Sequence, residues 1–388
     1  MKRLAIITTH PIQYNAPWFR MLSERGIIRI KVFYTWGEAV LQEKYDPGFG
    51  KTIEWDIPLL EGYEYSFVKN VSTQAGSHHF NGIDNPTIIR EIIDWNADGI
   101  LVIGWSFKSH LKLLRYFKGK KTVLFRGDSN LLDETAGLSL KKTARRLFLK
   151  WVYRHVDKAL YVGTANKNYY LAHGLKHYQL IHAPHAIDND RFLADKAIHK
   201  RSELGIPEEA IVFLFVGKFQ TKKDPQLLLD TFTRLKNSKA HLLMVGDGEM
   251  EAELKTTVDQ KSRELKHNIH FLPFQNQLQM PSVYKLGDVF VLPSQGPGET
   301  WGLSVNEAMA CSKAVLISDK CGCALDLVQD GINGYVFKSR DGNSLLKKME
   351  MFLSGRQAIT QMGNQSLGII QSGSRFENIC IAVEESLQ

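Results

Sequence analysis

Short apolar runs alternate with helical patterns along nearly the whole chain, and this alternation is the strongest constraint on its fold. The order strand, helix, strand is typical of parallel sheets that are covered by helices. The apolar runs predict strands at residues 4–8, 30–34, 63–68, 99–103, 122–125, 159–162, 211–216, 241–245, 269–272, 289–292, 314–317 and 335–337. Helical spacing predicts helices at residues 17–24, 87–94, 107–117, 140–155, 225–235, 249–265, 280–285, 302–310, 324–328 and 376–386.

The series of alternating strands and helices occurs twice along the chain. This repetition predicts an α/β fold of two doubly wound, Rossmann-like domains facing across a cleft. Residues 184–192 interrupt it with a proline, short polar residues and no periodicity. Ligands of such sheets bind at the carboxyl ends of the strands. We therefore predict a first domain at 1–187, a linker at 188–208, a second domain at 209–372 and a final helix within 373–388.

The charge of the chain narrows the classes of partner. Its 388 residues carry 49 Lys and Arg against 41 Asp and Glu, a net charge of +8. This excess suits nucleotide diphosphates, anionic lipid surfaces or nucleic acid, and charge alone does not choose among them. No nucleic-acid-binding motif or basic–aromatic repeat accompanies it, so we predict no nucleic-acid partner.

The cysteines and the apolar runs indicate the compartment. The four cysteines form no C-x-x-C pair and have no histidines at zinc spacing, which predicts reduced thiols and no metal site. No apolar run approaches the roughly 18–20 residues of a membrane helix. The opening MKRLAIITTH has the pattern of a first strand and not of a signal peptide. A cytoplasmic enzyme is the expectation.

The most informative local pattern follows the predicted strand at 289–292. A Gly/Pro-rich loop leads into a helix near Gly302, so that free backbone N–H groups converge where a phosphate would bind. Glu299 lies in the loop and Glu307 in the helix. Carboxylates beside a phosphate are suited to accept hydrogen bonds from sugar hydroxyls on either side of it. Ribose and hexose flanking a diphosphate describe a nucleotide sugar.

A second loop supplies positive charge. After the strand at 211–216 the chain reads GKFQTKKDP, with Lys218 directly after Gly217 and Lys223 before the next helix. Ammonium groups at the carboxyl end of a strand would stabilise a diphosphate leaving group as its charge develops. By itself this pattern is also that of a solvated basic loop.

Two further motifs invite other functions. VGDGEME after the strand at 241–245 offers G-x-G, but Glu251 occupies the third glycine position of the dinucleotide fingerprint and would repel a pyrophosphate. Asp188 and Asp190 form a D-x-D pattern, which in other proteins binds a metal ion. It lies in the predicted linker, and basic residues already provide for phosphates, so we predict no metal.

Polar residues also follow two strands of the first domain. His10, Gln13 and Tyr14 follow the first strand and are candidates for an acceptor site, with a loop packed on the sheet as the alternative. Arg126 and Asp128 follow the strand at 122–125. Arg126 would pair with a phosphate, and Asp128 would accept from an acceptor hydroxyl.

The predicted helix at 140–156 is unusually basic. Apolar residues recur at helical spacing, namely Leu140, Ala144, Leu147, Phe148, Trp151, Val152 and Val156. Basic residues occupy the other positions, namely Lys141, Lys142, Arg145, Arg146, Lys150 and Arg154. One interpretation is a packed helix with a solvated basic face. The other is contact with an anionic membrane surface.

Glu299-x7-Glu307, within GETWGLSVNEAMACSKAVLIS and followed by GINGYVF, resembles the donor-site signature of glycosyltransferase family 4. Those enzymes are retaining, metal-independent transferases of the GT-B fold. The resemblance implies that Glu299 contacts the transferred sugar and that Glu307 binds the ribose hydroxyls. It further implies that the diphosphate site and nucleotide pocket comprise Gly217, Lys218, Lys223, Gly246, Gly302, Leu303 and Ser304.

The implied activity is transfer of a sugar, with retention, from a UDP- or GDP-sugar to a glycan or lipid-linked acceptor in cell-surface polysaccharide or glycolipid synthesis. No cofactor is expected. The final helix would pack back on the first domain, as in many GT-B proteins. The chain departs from the family pattern at Lys218, where arginine is more frequent, at the HPIQY loop, which replaces a glycine-rich one, and at Arg126, where many relatives have histidine. Alternatives are a nucleotide-sugar epimerase or hydrolase of the same fold and a non-catalytic binding protein.

Overall fold

The computed structural model describes residues 1–38, 44–46, 51–134, 139–194 and 200–388. Its strands are β1 (Arg3–Thr8), β2 (Arg29–Tyr34), β3 (Lys44–Asp46), β4 (Lys51–Ile53), β5 (Glu64–Phe67), β6 (Gly99–Ile103), β7 (Thr122–Arg126), β8 (Lys158–Tyr161), β9 (Leu180–His182), β10 (Ile211–Val216), β11 (Ala240–Val245), β12 (Ile269–Leu272), β13 (Val289–Leu292), β14 (Ala314–Ser318) and β15 (Gly334–Phe337).

Its helices are α1 (Ala16–Arg25), α2 (Ile88–Asp94), α3 (Lys108–Phe117), α4 (Leu140–Tyr153), α5 (Thr164–Ala172), α6 (Asn189–Leu193), α7 (Pro225–Phe232), α8 (Glu251–Asp259), α9 (Arg263–His267), α10 (Met280–Leu286), α11 (Leu303–Ala310), α12 (Ala324–Leu327), α13 (Gly342–Phe352), α14 (Arg356–Gly373) and α15 (Phe376–Leu387).

The chain folds as two compact units. The first comprises Met1–Lys44, Ile57–His185 and Phe376–Gln388, and the second comprises Tyr45–Asp56 and Ala186–Arg375. Because residues 195–199 lie outside the described part of the chain, the linker at 188–208 stays a prediction.

The first unit is built on a seven-stranded sheet in the order β5-β2-β1-β6-β7-β8-β9. Every described strand pair in it is parallel. The last helix, α15, belongs to this unit, where Cys380 Sγ lies 3.7 Å from the Trp18 carbonyl oxygen. The carboxyl ends of β1 and β6 flank the point where the strand order reverses.

The second unit is built on a six-stranded parallel sheet in the order β12-β11-β10-β13-β14-β15. Strands β10 and β11 are buried along their whole length and carry apolar residues on both faces, as strands covered by helices on both sides require. Helix α13 buries Leu345, Met349 and Phe352, which recur at helical spacing. The strand order of this sheet reverses between β10 and β13, which is where doubly wound folds bind ligands.

The predicted α/β class and the two doubly wound sheets are confirmed. The single helix predicted at 249–265 is wrong. It is two helices, α8 and α9, because the chain leaves the helix after Asp259 and Ser262 Oγ caps the second one by accepting from the Leu265 amide. Sequence periodicity also missed β9, α5, α13 and α14. Helix α14 buries Gly363 and Ser366 beside two isoleucines, so its buried face has a weak apolar signal.

The single apolar face predicted for residues 140–156 is wrong as well. Leu140, Leu147 and Phe148 are exposed, whereas Val152 and Val156 are buried. The helix therefore packs on the sheet with one set of apolar residues and presents another set to solvent.

Candidate functional site

Two loops meet at the carboxyl edge of the second sheet, after β10 and β13. The Gln295 amide N–H donates to the Lys222 carbonyl at 2.9 Å, and the Gln295 side chain donates to the Thr221 carbonyl at 2.5 Å. Asp224 closes the first loop by capping α7 through the Leu227 amide. The sequence separates these loops by more than seventy positions, and their hydrogen bonds fix Lys223 opposite Glu299.

Lys223 and Glu299 form a buried ion pair. The Lys223 Nζ lies 2.5 Å from Glu299 Oε2, and the Glu299 side chain is 8% exposed. Ser294 Oγ donates to the same oxygen at 2.9 Å. Burial raises the pKa of the Glu299 carboxyl, but the Lys223 ammonium and the hydrogen bonds from Lys223 and Ser294 outweigh it, so the pKa lies below its ordinary value. Glu299 is therefore an ionised hydrogen-bond acceptor at neutral pH.

Further contacts position Ser294. Its carbonyl oxygen accepts hydrogen bonds from Ser318 Oγ and, at 3.3 Å, from Ser339 Oγ. Ser318 is the last residue of β14, and Ser339 lies just after β15. Together with the bonds from Gln295 to the loop after β10, these contacts hold the loop that carries Glu299 on both sides of β13. Sequence analysis missed this support, because no local spacing links residues 294, 318 and 339.

Helix α11 begins beside this ion pair. Its N-cap is Gly302, whose φ of 101° is in the left-handed region that favours glycine. The first turn holds no acidic residue, so the positive end of the helix dipole is not offset there. Ser304 Oγ in this turn is buried and makes no hydrogen bond within the described part of the chain. A buried hydroxyl without a partner is costly, and a ligand oxygen at the helix start would satisfy it.

Glu307 lies farther along α11 and is 3% exposed. The Tyr284 hydroxyl donates to Glu307 Oε2 at 2.7 Å, and Tyr284 is itself fully buried on α10. This contact sets the orientation of the carboxylate. Tyr284 was not among the predicted site residues, because only the packing of α10 against α11 brings it to Glu307.

Glycines bring the loops after β10 and β11 into direct backbone contact. The Phe219 amide donates to the Asp247 carbonyl at 2.9 Å. A Cβ atom at Gly246 would lie 2.0 Å from the Gly217 carbonyl oxygen, so no larger residue fits. Both glycines serve this close approach, and Lys218 follows half-buried on the same loop.

The first unit uses its polar residues differently. Arg126 is 4% exposed, and its guanidinium donates to the carbonyls of Ala183 at 2.7 Å and Pro184 at 3.0 Å. Burial lowers its pKa to about 10. Asp128 lies 3.9 Å from His185. Both terminal nitrogens of the Arg126 guanidinium thus donate to backbone carbonyls. Its pairing with a phosphate stays a prediction, and these hydrogen bonds do not favour it.

The loop after β1 carries the other first-unit candidates. His10 Nδ1 lies 2.8 Å from Thr9 Oγ1, and its ring meets Trp36 edge-on at 5.4 Å. Gln13 and Tyr14 are half-buried in the same loop. Their role at an acceptor site stays a prediction.

The D-x-D pattern has a local structural use. Asp188 caps α6 by accepting from the Arg191 amide at 3.1 Å. Among the residues that the structure describes, no group of three or more His, Cys, Asp or Glu side chains is placed to hold a metal ion. No helix in the described ranges is long and apolar enough to cross a membrane.

Comparison with known proteins shows that this candidate site lies in a segment that matches a protein family. Residues 197–367 match the family of glycosyl transferases group 1. The chain is 29% identical over 197 residues to the lipopolysaccharide 1,2-N-acetylglucosaminetransferase of Salmonella typhimurium, covering 48% of this chain and 51% of the relative. It is 27% identical over 194 residues to the D-inositol 3-phosphate glycosyltransferase of Geodermatophilus obscurus, covering 48% and 42%. The match thus spans about half the length of these relatives.

Solved structures resemble the chain along its whole length. Anabaena Alr3699/HepE in complex with UDP has a TM-score of 0.74 at 17% identity, covering 100% of this chain and 99% of that one. WaaG, a glycosyltransferase involved in lipopolysaccharide biosynthesis, has a TM-score of 0.67 at 14% identity, covering 99% of both chains. At these identities the likeness shows the fold, which is GT-B with two Rossmann-like domains.

Proposed function

We propose that this chain is a retaining, metal-independent glycosyltransferase of family 4, which transfers a hexose from a UDP- or GDP-sugar to a glycan or lipid-linked acceptor. The expected context is synthesis of a cell-surface polysaccharide or glycolipid. The four buried free cysteines suit a reducing compartment, so we expect the protein to work in the cytoplasm.

The observation that carries the proposal is the Lys223–Glu299 pair beside the start of α11. The helix start and the Ser304 hydroxyl would bind the diphosphate, and Lys223 with Lys218 would offset the charge that develops on it as the glycosidic bond breaks. Glu299 is ionised and cannot protonate the leaving group, so this charge must be stabilised electrostatically. The known hydrogen bonds of Glu299 fall on Oε2, which leaves Oε1 for a sugar hydroxyl.

Glu307 would complete the donor site. It lies about one and a half turns beyond Gly302, on the same helix whose start would bind the phosphates. Its carboxylate is held by Tyr284 and would accept from the ribose hydroxyls. A diphosphate between Glu299 and Glu307 places the sugar near the first and the nucleoside near the second.

The comparisons support a glycan product and a uridine donor as the first to test. HepE is a structural neighbour whose complex contains UDP, and another structure of it contains UDP-glucose. The Salmonella relative is named for transfer of N-acetylglucosamine to lipopolysaccharide.

The first experiment measures thermal stabilisation by UDP, GDP, ADP and CMP, each with EDTA and again with Mg²⁺ or Mn²⁺. A ligand that binds only the folded state at 100 times its Kd stabilises it by about 2.7 kcal/mol. We expect one nucleotide to raise the Tm equally with EDTA and with metal, and Glu307→Ala to lose that rise. Stabilisation that needs a metal would contradict metal independence, and no response to any nucleotide would contradict the donor site.

The second experiment separates transfer from the alternatives. The sugar nucleotide that corresponds to the selected base is incubated with and without candidate acceptors, and the anomeric configuration of the product is read by NMR. We expect acceptor-dependent turnover with an unchanged anomeric configuration. Rapid turnover without acceptor would indicate an epimerase or hydrolase, and binding without turnover would indicate a non-catalytic protein.

A further inference from the structure

Helix α4 carries two apolar stripes on opposite faces. Leu149, Val152 and Tyr153 are buried in the core of the first unit, as is Val156 just after the helix. Leu140, Ala144, Leu147 and Trp151 form the second stripe, spaced by four, three and four residues. At 3.6 residues per turn these four side chains share a face that points away from the buried stripe.

The second stripe, which we call the outer stripe of α4, faces solvent. Leu140 is 92% exposed and Leu147 is 64% exposed, and Ala144 between them is exposed as well. Trp151 is half-buried where the stripe reaches the body of the unit. Phe148, which is 43% exposed, lies 5.7 Å from the Trp151 ring and 5.6 Å from the Trp105 ring. Leu, Phe and Trp are thus held at the surface, although each would be more stable out of water.

Positive charge flanks the outer stripe on both sides. Between residues 140 and 154 the sequence has six basic residues and no acidic one, the basic residues being Lys141, Lys142, Arg145, Arg146, Lys150 and Arg154. Helix geometry puts three of them beside the stripe, with Lys141 on one side and Lys150 and Arg154 on the other. The other three, Lys142, Arg145 and Arg146, lie towards the opposite face. Arg115 of α3 adds a guanidinium 5.5 Å from the Trp151 ring. One nearby carboxylate, Glu134, pairs with Arg146 at 3.3 Å.

We propose that the outer stripe of α4 docks the protein on an anionic membrane surface. A lipid surface takes apolar side chains into its headgroup boundary and offers negative charge to the Lys and Arg residues beside them. A second copy of this chain is disfavoured, because it would bring two sets of three flanking basic residues together. A nucleic acid would pair with the charges but would leave Leu140 and Leu147 in water.

This proposal rests on α4 alone and is independent of the proposed function. The docking surface contains none of the predicted donor-site residues. Vesicle binding can therefore be measured without any nucleotide, so that failure of one proposal leaves the other standing.

The test is flotation of the full-length protein with vesicles of phosphatidylcholine alone or with 30% phosphatidylglycerol, at low and high salt. We expect binding to the anionic vesicles only, with weaker binding at high salt. The double variant Leu140→Ser/Leu147→Ser should bind at least tenfold more weakly with an unchanged Tm, because both residues are exposed. The control Leu325→Ser/Ile332→Ser removes apolar residues that are 69% and 50% exposed elsewhere, and it should bind like the parent protein.

A second measurement locates the contact. Vesicles with brominated acyl chains quench tryptophan that enters the boundary, and Trp151→Phe should lose a measurable part of the quenching seen with the parent protein. Equal binding by the parent and the Leu140/Leu147 variant would overturn the proposal. Absence of vesicle binding by the parent protein would also overturn it. If light scattering then shows that the parent protein is a dimer and the double variant a monomer, the outer stripe binds a second copy and not a membrane.

Discussion

Each unit has a buried glutamate that pairs with a basic residue, and the two ion pairs differ in how many carboxylate oxygens they use. Glu384 of α15 has a 5% exposed side chain and meets the Arg25 guanidinium through both oxygens, at 2.7 and 2.8 Å. Glu299 has an 8% exposed side chain, and its bonds to Lys223 and Ser294 both fall on one oxygen. The first carboxylate is fully paired between two packed helices, and the second retains capacity for another donor.

Their surroundings explain the difference. Arg25 closes α1 and Glu384 lies on α15, so their bidentate pair fixes how the last helix packs on the first unit. Glu299 and Lys223 come from two loops at the carboxyl edge of the second sheet, next to a helix start. A complete pair stabilises the fold. An incomplete pair at the point where the strand order reverses is typical of a site that binds a ligand.

The largest expected effect follows from Glu299→Gln. The amide keeps the shape but loses the charge-assisted bond to Lys223 and the proposed one to a sugar hydroxyl, which together would be worth about 3 kcal/mol or about 100-fold in rate. Turnover of the donor should fall by that factor, while affinity for the free nucleotide should change little. Turnover equal to that of the parent protein would remove Glu299 from the site.

Glu384→Ala is the counterpart in the first unit. It leaves the Arg25 guanidinium without its carboxylate partner, and we expect a loss of about 2 kcal/mol in the free energy of unfolding, measured by urea denaturation. The stabilisation of the protein by nucleotide should be unchanged. A selective loss of nucleotide binding in this variant would show that the two pairs do not have separate roles.

Tyr284→Phe tests the assignment of Glu307, the glutamate in α11. Without the hydroxyl, Glu307 loses one orienting bond, and we expect the affinity for the selected nucleotide to fall about fivefold, or about 1 kcal/mol, by calorimetry. The 2′,3′-dideoxy nucleotide should bind the variant and the parent protein equally, because it lacks the hydroxyls that Glu307 would contact. Tyr335→Phe is the matched control, a buried tyrosine on β15. Equal losses with both nucleotides would indicate a general packing defect.

The smallest expected effect is on pH dependence. The pKa of Glu299 is held below its ordinary value of 4.5, so its contribution to stability is present above that pH and is lost as pH falls through the folded-state pKa. The Tm difference between the parent protein and Glu299→Gln should be constant from pH 6 to 8 and should shrink below about pH 4.5. A difference that changes near pH 7 would contradict an ionised Glu299.

Much of this architecture was predictable from local pattern. The strands at 99–103, 211–216, 269–272 and 289–292 match β6, β10, β12 and β13 residue for residue, because continuous apolar runs bounded by turns are characteristic of buried parallel strands. The loop with Glu299 and the loop with Lys223 were also identified, since glycine, charge and a helix start lie close together in each. Their pairing was not predicted, because their contact depends on the neighbouring positions of β10 and β13 in the sheet.

The sequence did not predict the roles of residues that depend on packing. Tyr284 has no distinguishing spacing and acquires its role only when α10 packs against α11. Arg126 was expected to follow a strand and to pair with a phosphate, whereas it is the last residue of β7 and its guanidinium donates to two backbone carbonyls. The sequence predicted a single apolar face for α4, because apolar spacing alone does not distinguish residues that pack against the core from residues that face solvent.

The sequence by itself determined most of the order of strands and helices, the doubly wound class and the chemical character of the candidate-site loops, because these follow from periodicity and turn chemistry within a few residues. Only the tertiary structure decided which charges pair and which apolar residues remain in water. Those outcomes depend on contacts between residues far apart in the chain. Glu299 and Glu384 are similarly buried, and the number of carboxylate oxygens that their partners occupy decides which of them retains capacity for a ligand.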